Sequence, residues 1–156
     1  MKDEIISRAG LARLQSEYDM IENKIQTTIS EMGESAKRDN DLRENPEFME
    51  LRVKAMHTLP AEKEKMYWKI HNAIIIEETI DYKKFDGSRV IIGAIVTFTM
   101  GNSEKKLTIL GSTEGDFSKN IIACDAPLAQ ALIEKRIGDN FEFNSRKIVI
   151  KKIDKI

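Results

Sequence analysis

In this 156-residue chain, the stretch whose residue types and spacing could do chemistry is Asn40-Asp41-Leu42-Arg43-Glu44-Asn45-Pro46-Glu47-Phe48. It sets two carboxylates, Asp41 and Glu44, three residues apart. Oxygen ligands of this kind suit Mg²⁺, which keeps several waters and takes one or two protein carboxylates alongside substrate phosphate. Alone, the pair would hold the ion weakly; with the remaining ligands supplied by another molecule, it would complete a site. A structural reading competes with this one, since Asp41 as N-cap with Glu44 three residues later makes a capping box. That helix would put Pro46 at its fifth position, where the hydrogen bond to the Leu42 carbonyl is lost. A helix capped by Asn45, with Pro46 in its first position, avoids the loss and leaves Asp41 and Glu44 in the turn. The pattern alone leaves both readings open.

Little else in the sequence carries catalytic potential. There is no glycine-rich phosphate loop and no Cys/His metal spacing, and the two histidines, His57 and His71, fall at helical positions as surface or seam residues. The lone Cys124 sits between apolar residues and reads as a buried small hydrophobe. A formal net charge of −1 argues against a protein that coats nucleic acid through bulk electrostatics. Residues 1–80 hold 12 Lys/Arg against 16 Asp/Glu, and residues 81–156 hold 13 against 10, so the second half is mildly basic. The N-terminus lacks the basic start and apolar run of a signal peptide, and no stretch approaches the roughly 20 apolar residues of a membrane span. The expectation is a cytoplasmic protein that engages no membrane.

Two helical stripes flank the acidic stretch. Leu11, Leu14, Tyr18, Ile21, Ile25, Ile29 and Met32 recur in steps of three and four, as do Phe48, Leu51, Ala55, Leu59, Met66, Ile70 and Ile74, with one turn skipped at Glu62 and Lys63. Narrow stripes of similar length predict an antiparallel coiled-coil hairpin with a single apolar seam and an acidic tip near residues 40–45. At 1.5 Å per residue each arm spans roughly 45 Å. Pro60 lies inside the second run and predicts a bend or break there. A hairpin that pairs its own helices predicts a monomer.

Beyond Ile80 the pattern becomes strand-like. Arg89–Thr99 is rich in β-branched residues, Gly101-Asn102 signals a turn, and Lys106–Leu110, Asn120–Ala123, Asn140–Phe143 and Lys147–Ile153 read as further strands. Pro127–Lys135 reads as a short helix covering one sheet face. The fold class is therefore α+β, with the hairpin over residues 1–78 and a β-rich domain over 79–156.

The tip segment resembles the hairpin signature of the Gre transcript-cleavage factors, which runs roughly Gly-Asp-Leu-x-Glu-Asn-x-Glu-Tyr. The matches are Asp41, Leu42, Glu44, Asn45 and Glu47, with Asn40 in place of the glycine and Phe48 in place of the tyrosine. The likeness continues through Gly87–Thr97, Glu114-Gly115-Asp116-Phe117 and Ala126–Ile133, in family order. It implies a C-terminal antiparallel β-domain like that of the FK506-binding proteins, which docks on bacterial RNA polymerase. It also implies a hairpin that enters the polymerase secondary channel and stimulates cleavage near the 3′ end of backtracked nascent RNA. The polymerase is the enzyme and this chain its accessory.

Carried over residue by residue, the resemblance makes Asp41 and Glu44 ligands of a Mg²⁺ shared with the polymerase, and Asn40, Leu42, Asn45 and Phe48 the residues that shape the tip. Lys37, Arg38, Arg43 and Arg52 become candidate contacts to the RNA 3′ segment. Asp116, Phe117, Pro127 and Leu128 fall in the docking domain. Three other functions are weighed beside this one: a channel-binding regulator or inhibitor that does not stimulate cleavage, a prolyl isomerase suggested by fold alone, and a coiled-coil adaptor that would leave the acidic tip unexplained.

Overall fold

A computed structural model describes residues 4–39 and 41–156. The architecture is α+β, with a long N-terminal helix, a helical return arm and a mostly antiparallel sheet. The chain divides into two compact units, one formed by Ala12–Asn72 and the other by the chain up to Leu11 together with Ala73–Ile156. Sequence periodicity carries the second helix through Ile74 and places the division at residue 78. Instead the helix ends at His71, and Ala73–Ile75 forms strand β2, paired in parallel with β1 (Glu4–Ile6). Asn72 terminates the helix by donating its side-chain amide to the Trp68 carbonyl, and the isoleucine run that follows suits a strand.

In the helical unit, α1 (Arg8–Arg38) is answered by α2 (Pro46–Val53), a π-helical turn over Lys54–Thr58, and α3 (Leu59–His71). The arms are antiparallel, because Ser35 meets Asn45 while Glu22 meets Lys63. From Leu14 on, the less exposed positions of α1 include the series Leu14, Tyr18, Ile21, Ile25, Thr28, Met32 and Ser35, with Glu17 and Ala36 half-buried beside it. Its alternating steps of four and three follow the 3.5-residue repeat that keeps one seam against a partner helix. Ile29, placed on the stripe from sequence, is 39% exposed, whereas Thr28 is buried and satisfies its hydroxyl on the Lys24 carbonyl at 2.8 Å.

Pro60 does not break the second arm. Its missing N–H is absorbed by the widened turn just before it, where the Leu59 amide donates to Lys54 in an i→i−5 bond. That turn adds one residue to the helical phase. As a result Ala55 and Leu59 are buried, and Lys63 fills the next seam position. The stem of Lys63 lies along the seam while its Nζ sits 5.1 Å from the Tyr18 ring centre and 3.1 Å from Glu22. The turn that looks skipped in sequence is thus occupied by a snorkelling lysine.

The second unit is built on β3 (Ala94–Met100), β4 (Ser103–Leu110), β5 (Ile121–Ala123), β6 (Asn140–Phe143) and β7 (Arg146–Lys155), in the order β5-β4-β3-β7-β6. Only β4 and β5 run parallel within it. The expected strand from Arg89 begins later, at Ala94, because Gly93 turns the chain with φ 91°. Alternating residues Ala94, Val96 and Phe98 point into a core shared with Ile109, Ile148 and Ile150. Two short helices precede and cover the sheet: α4 (Ile80–Lys83), and α5 (Pro127–Leu132), which contributes Ala129 and Leu132 to the core. Each fully buried aliphatic or aromatic side chain contributes about 1.5–3 kcal/mol.

The first turn of α1 is bound within this unit. Ser7 caps it, its Oγ accepting from the Gly10 amide at 3.0 Å, and the buried Glu114 carboxylate accepts both the Ser7 amide (2.7 Å) and the Ser7 hydroxyl. Glu114 also accepts the Gly111 amide, and Glu77 accepts the Arg8 amide at 3.0 Å. Negative charge at a helix start complements its dipole. The packing leaves room for hydrogen only: a Cβ on Gly111 would lie 1.8 Å from the Ile5 carbonyl oxygen, and one on Gly10 would lie 2.2 Å from Glu114. Gly111→Ala is expected to destabilise this unit by about 3 kcal/mol, measured as lost amide-exchange protection across β3, β4 and β7.

Candidate functional site at the hairpin tip

The tip is held from its two ends. On α1, Ser35 is fully buried, and its carbonyl accepts both the Asp39 amide and the Asn45 side-chain amide, each at 3.3 Å. Its hydroxyl accepts from Asn45 Nδ2 at 3.1 Å and donates to Glu47 Oε2 at 2.8 Å. On the other arm, Asn45 adopts an extended backbone and accepts the Phe48 amide on Oδ1 at 2.9 Å, with Pro46 in the first helical position. Asn45 is therefore the helix cap, and the capping box led by Asp41 does not form. A side-chain amide that caps one helix and donates to the other joins the arms where the apolar seam ends.

Between these ends the backbone turns on its own polar groups. Asp39 Oδ1 accepts the Asp41 amide at 3.0 Å, Asp41 Oδ1 accepts the Arg43 amide at 3.2 Å, and the Asp41 carbonyl accepts the Glu44 amide at 3.2 Å. Aspartate side chains bonding two residues onward are the usual way a short polar segment reverses direction. Asp41, Leu42, Arg43 and Glu44 are all exposed, so both carboxylates stand at the surface of the turn. Asn40 lies outside the described residues.

The other candidate residues are distributed around this turn and in the β-unit. Lys37 pairs with Glu34 at 2.8 Å and Arg38 with Glu47 at 2.7 Å, while Arg43 and Arg52 are exposed. Phe48 is half-buried beside the cap. Asp116 caps a short 3₁₀ turn over Phe117–Lys119, accepting the Ser118 amide and hydroxyl, and this presents Phe117 at 84% exposure. Pro127 opens α5, and Leu128 packs against the core as a partly buried side chain.

Sequence reasoning missed Ser35, Asp39 and the bond between Ser35 and Glu47. The available signal was the seam itself: continuing its alternating steps past Met32 lands on Ser35, a small polar residue where an apolar one belongs. Among the described residues no group of three or more His, Cys, Asp or Glu side chains is placed to hold a metal ion. Asp41 and Glu44 carry the oxygen donors that a hard divalent cation takes, and two carboxylates hold such an ion only weakly unless a partner supplies further ligands.

A family profile described as "Transcription elongation factor, GreA/GreB, C-term" matches residues 86–155. The transcription elongation factor GreA of Rickettsia prowazekii is 30% identical over 144 residues, covering 91% of this chain and 86% of that one. The chain belongs to the GreA/GreB family. Within that family, GreA of Nautilia profundicola is 28% identical over 159 residues, covering 100% of this chain and 95% of the relative. Among solved structures, GreA factor homolog 1 (Gfh1) of Thermus thermophilus is 16% identical with a TM-score of 0.43, over 98% and 99% of the two chains. Among the described residues of this Gre-family chain, no helix is long and apolar enough to cross a membrane.

Two outcomes test the construction of the tip. Asn45→Ala removes a helix cap, worth about 1 kcal/mol, and strips the buried Ser35 groups of a donor, costing about another 1 kcal/mol; helix-monitored urea unfolding should register the loss. The Glu47 carboxyl is held below the usual 4.5, chiefly by the Ser35 hydroxyl, which outweighs the upward push of burial, with Arg38 adding to the lowering. Its contribution to hairpin stability is full above that usual value and is lost as the pH falls through the lowered pKa. Melting followed against pH should therefore show a shallower acid limb in Glu47→Gln than in the wild type.

Proposed function

We propose that this Gre-family chain is a transcript-cleavage factor: its hairpin enters the secondary channel of bacterial RNA polymerase, and its tip stimulates hydrolysis of backtracked nascent RNA near the 3′ end. The observation that carries the reading is the pair of exposed carboxylates, Asp41 and Glu44, on a turn whose ends are tied by buried hydrogen bonds. Neither carboxylate is needed to cap the second arm, because Asn45 caps it.

Asp41 and Glu44 would hold Mg²⁺ jointly with the polymerase and the RNA phosphate. When bound, the ion supplies charge stabilisation at the phosphodiester oxygens and acidifies a water ligand. The residues of this chain do the positioning. Asp41 is oriented by the Arg43 amide on its Oδ1, and the bond from the Glu44 amide to the Asp41 carbonyl sets the two residues in one turn. Presenting oxygen ligands in a fixed geometry removes the entropy of assembling them at each encounter.

Arg43, exposed between the two carboxylates, and Arg52, on the outer face of α2, are the cations we assign to the RNA 3′ segment, since Lys37 and Arg38 are already paired with carboxylates. Phe117 is the side chain of the β-unit with the largest free apolar face, and we assign it to docking on the polymerase. The chain itself turns over no substrate in this account; the polymerase does.

The test is RNA 3′ cleavage in backtracked elongation complexes of a bacterial polymerase with Mg²⁺. The wild type should stimulate cleavage, and Asp41→Ala and Glu44→Ala should each lower it by about 100-fold or more while still competing for the polymerase. Binding without stimulated cleavage by the wild type would replace this reading with that of a channel-occupying regulator.

A further inference from the structure

We infer that Ser35 is a positioning residue for the tip carboxylates, acting through Asn45 and Glu47 although it touches neither Asp41 nor Glu44. The inference rests on the cleavage reading above.

The described residues from Asp39 to Glu44 are all exposed, so none of them is packed into a core that could fix the turn. What fixes it is the meeting of its first and last residues at Ser35, whose carbonyl takes the Asp39 amide and the Asn45 side chain at the same 3.3 Å distance. The hydroxyl reinforces the way the Asn45 amide faces. The Ser35 carbonyl already takes Asn45 Nδ2 and the Phe48 amide already meets Asn45 Oδ1; with its proton on Glu47 Oε2, the Ser35 hydroxyl oxygen adds a second acceptor for Nδ2 and ties Glu47 to the same point. Glu47 in turn is steadied from α1 by Arg38. One hydroxyl thereby couples the end of α1, the cap of α2 and the first turn of the return arm.

Ser35→Ala deletes the hydroxyl but keeps the carbonyl and the helix. The turn remains, held at fewer points, and the carboxylates sample more positions. Because a displacement of about 1 Å at a reacting centre costs on the order of 100-fold, loss of one of several restraints is expected to lower the maximum cleavage rate about tenfold. Binding should be untouched, so the concentration of factor giving half-maximal stimulation should stay within about twofold.

The experiment uses the full chain, with factor concentration varied in backtracked elongation complexes and helical content checked by far-ultraviolet circular dichroism at the assay temperature. Ser35→Ala and Glu47→Ala should each lose about tenfold in maximum rate, whereas Glu47→Gln, whose amide oxygen still accepts the Ser35 proton, should stay within about threefold of wild type. Glu47 is exposed, so its variants report on the same bond even where Ser35→Ala loses helix. The inference is overturned by a wild-type maximum rate in Ser35→Ala, by a loss confined to half-maximal concentration, or by Glu47→Gln as defective as Glu47→Ala. Absence of cleavage with the wild type overturns both this inference and the cleavage reading; wild-type cleavage with unaffected variants overturns this one alone.

Discussion

An antiparallel helix pair shares one seam, and where the seam runs out the chain must reverse with nothing apolar to hold it. Here that problem is solved by hydrogen bonds between a buried serine and a buried asparagine. A buried amide or hydroxyl is costly unless its partners are present, so Ser35 and Asn45, each satisfied by the other, fix the register of the two arms as well as their separation. Displacing either arm by one residue would take the Ser35 hydroxyl and the Asn45 side-chain N–H away from their partners on the other arm. Specificity of this kind is what a single polar residue at a seam position supplies in coiled coils generally.

A similar economy governs the start of α1. The carboxylate of Glu114 replaces the missing intrahelical partners of the first turn, with Ser7 passing on one of its bonds, and glycines at positions 10 and 111 allow the approach. The segment Glu114-Gly115-Asp116-Phe117 therefore divides its labour. Glu114 is buried and structural, Asp116 shapes the following turn, and Phe117 is left at the surface. A block of matching residues in a sequence need not share one role, and here the burial of each side chain separates them.

Much of this was legible in the sequence where the signal is local. The β-branched run Arg89–Thr99, the Gly101-Asn102 turn and the Pro46 helix start all report on neighbouring residues; the turn and the helix start fall where their patterns lie, and the strand occupies the run from Ala94 on. Features that depend on distant partners were not legible. The pairing of β1 with β2 joins Glu4 to Ala73, and Ser7 meets Glu114, so no window along the chain contains both halves. Ser35 is intermediate: its place on the seam follows from the repeat, but its hydrogen bonds to Asn45 and Glu47 need the hairpin to be closed first. Ile29 was misplaced because a four-residue step from Ile25 fits an isolated helix better than a supercoiled one.

The π-helical turn over Lys54–Thr58 has a bearing on how this chain is compared with others. A π turn is, in effect, one residue inserted into an α-helix, and every position beyond it is rotated by that residue relative to an uninterrupted arm. Comparison by sequence alone would set Thr58 and Glu62 opposite the inward residues of a straight-armed homologue, whereas spatial equivalence belongs to Leu59 and Lys63. Superposition of such a pair calls for a single-residue gap in the middle of a helix, a place where alignments normally resist one. Ancestry of the insertion could then be traced by asking whether homologues that carry the extra residue also carry a proline two positions beyond the turn.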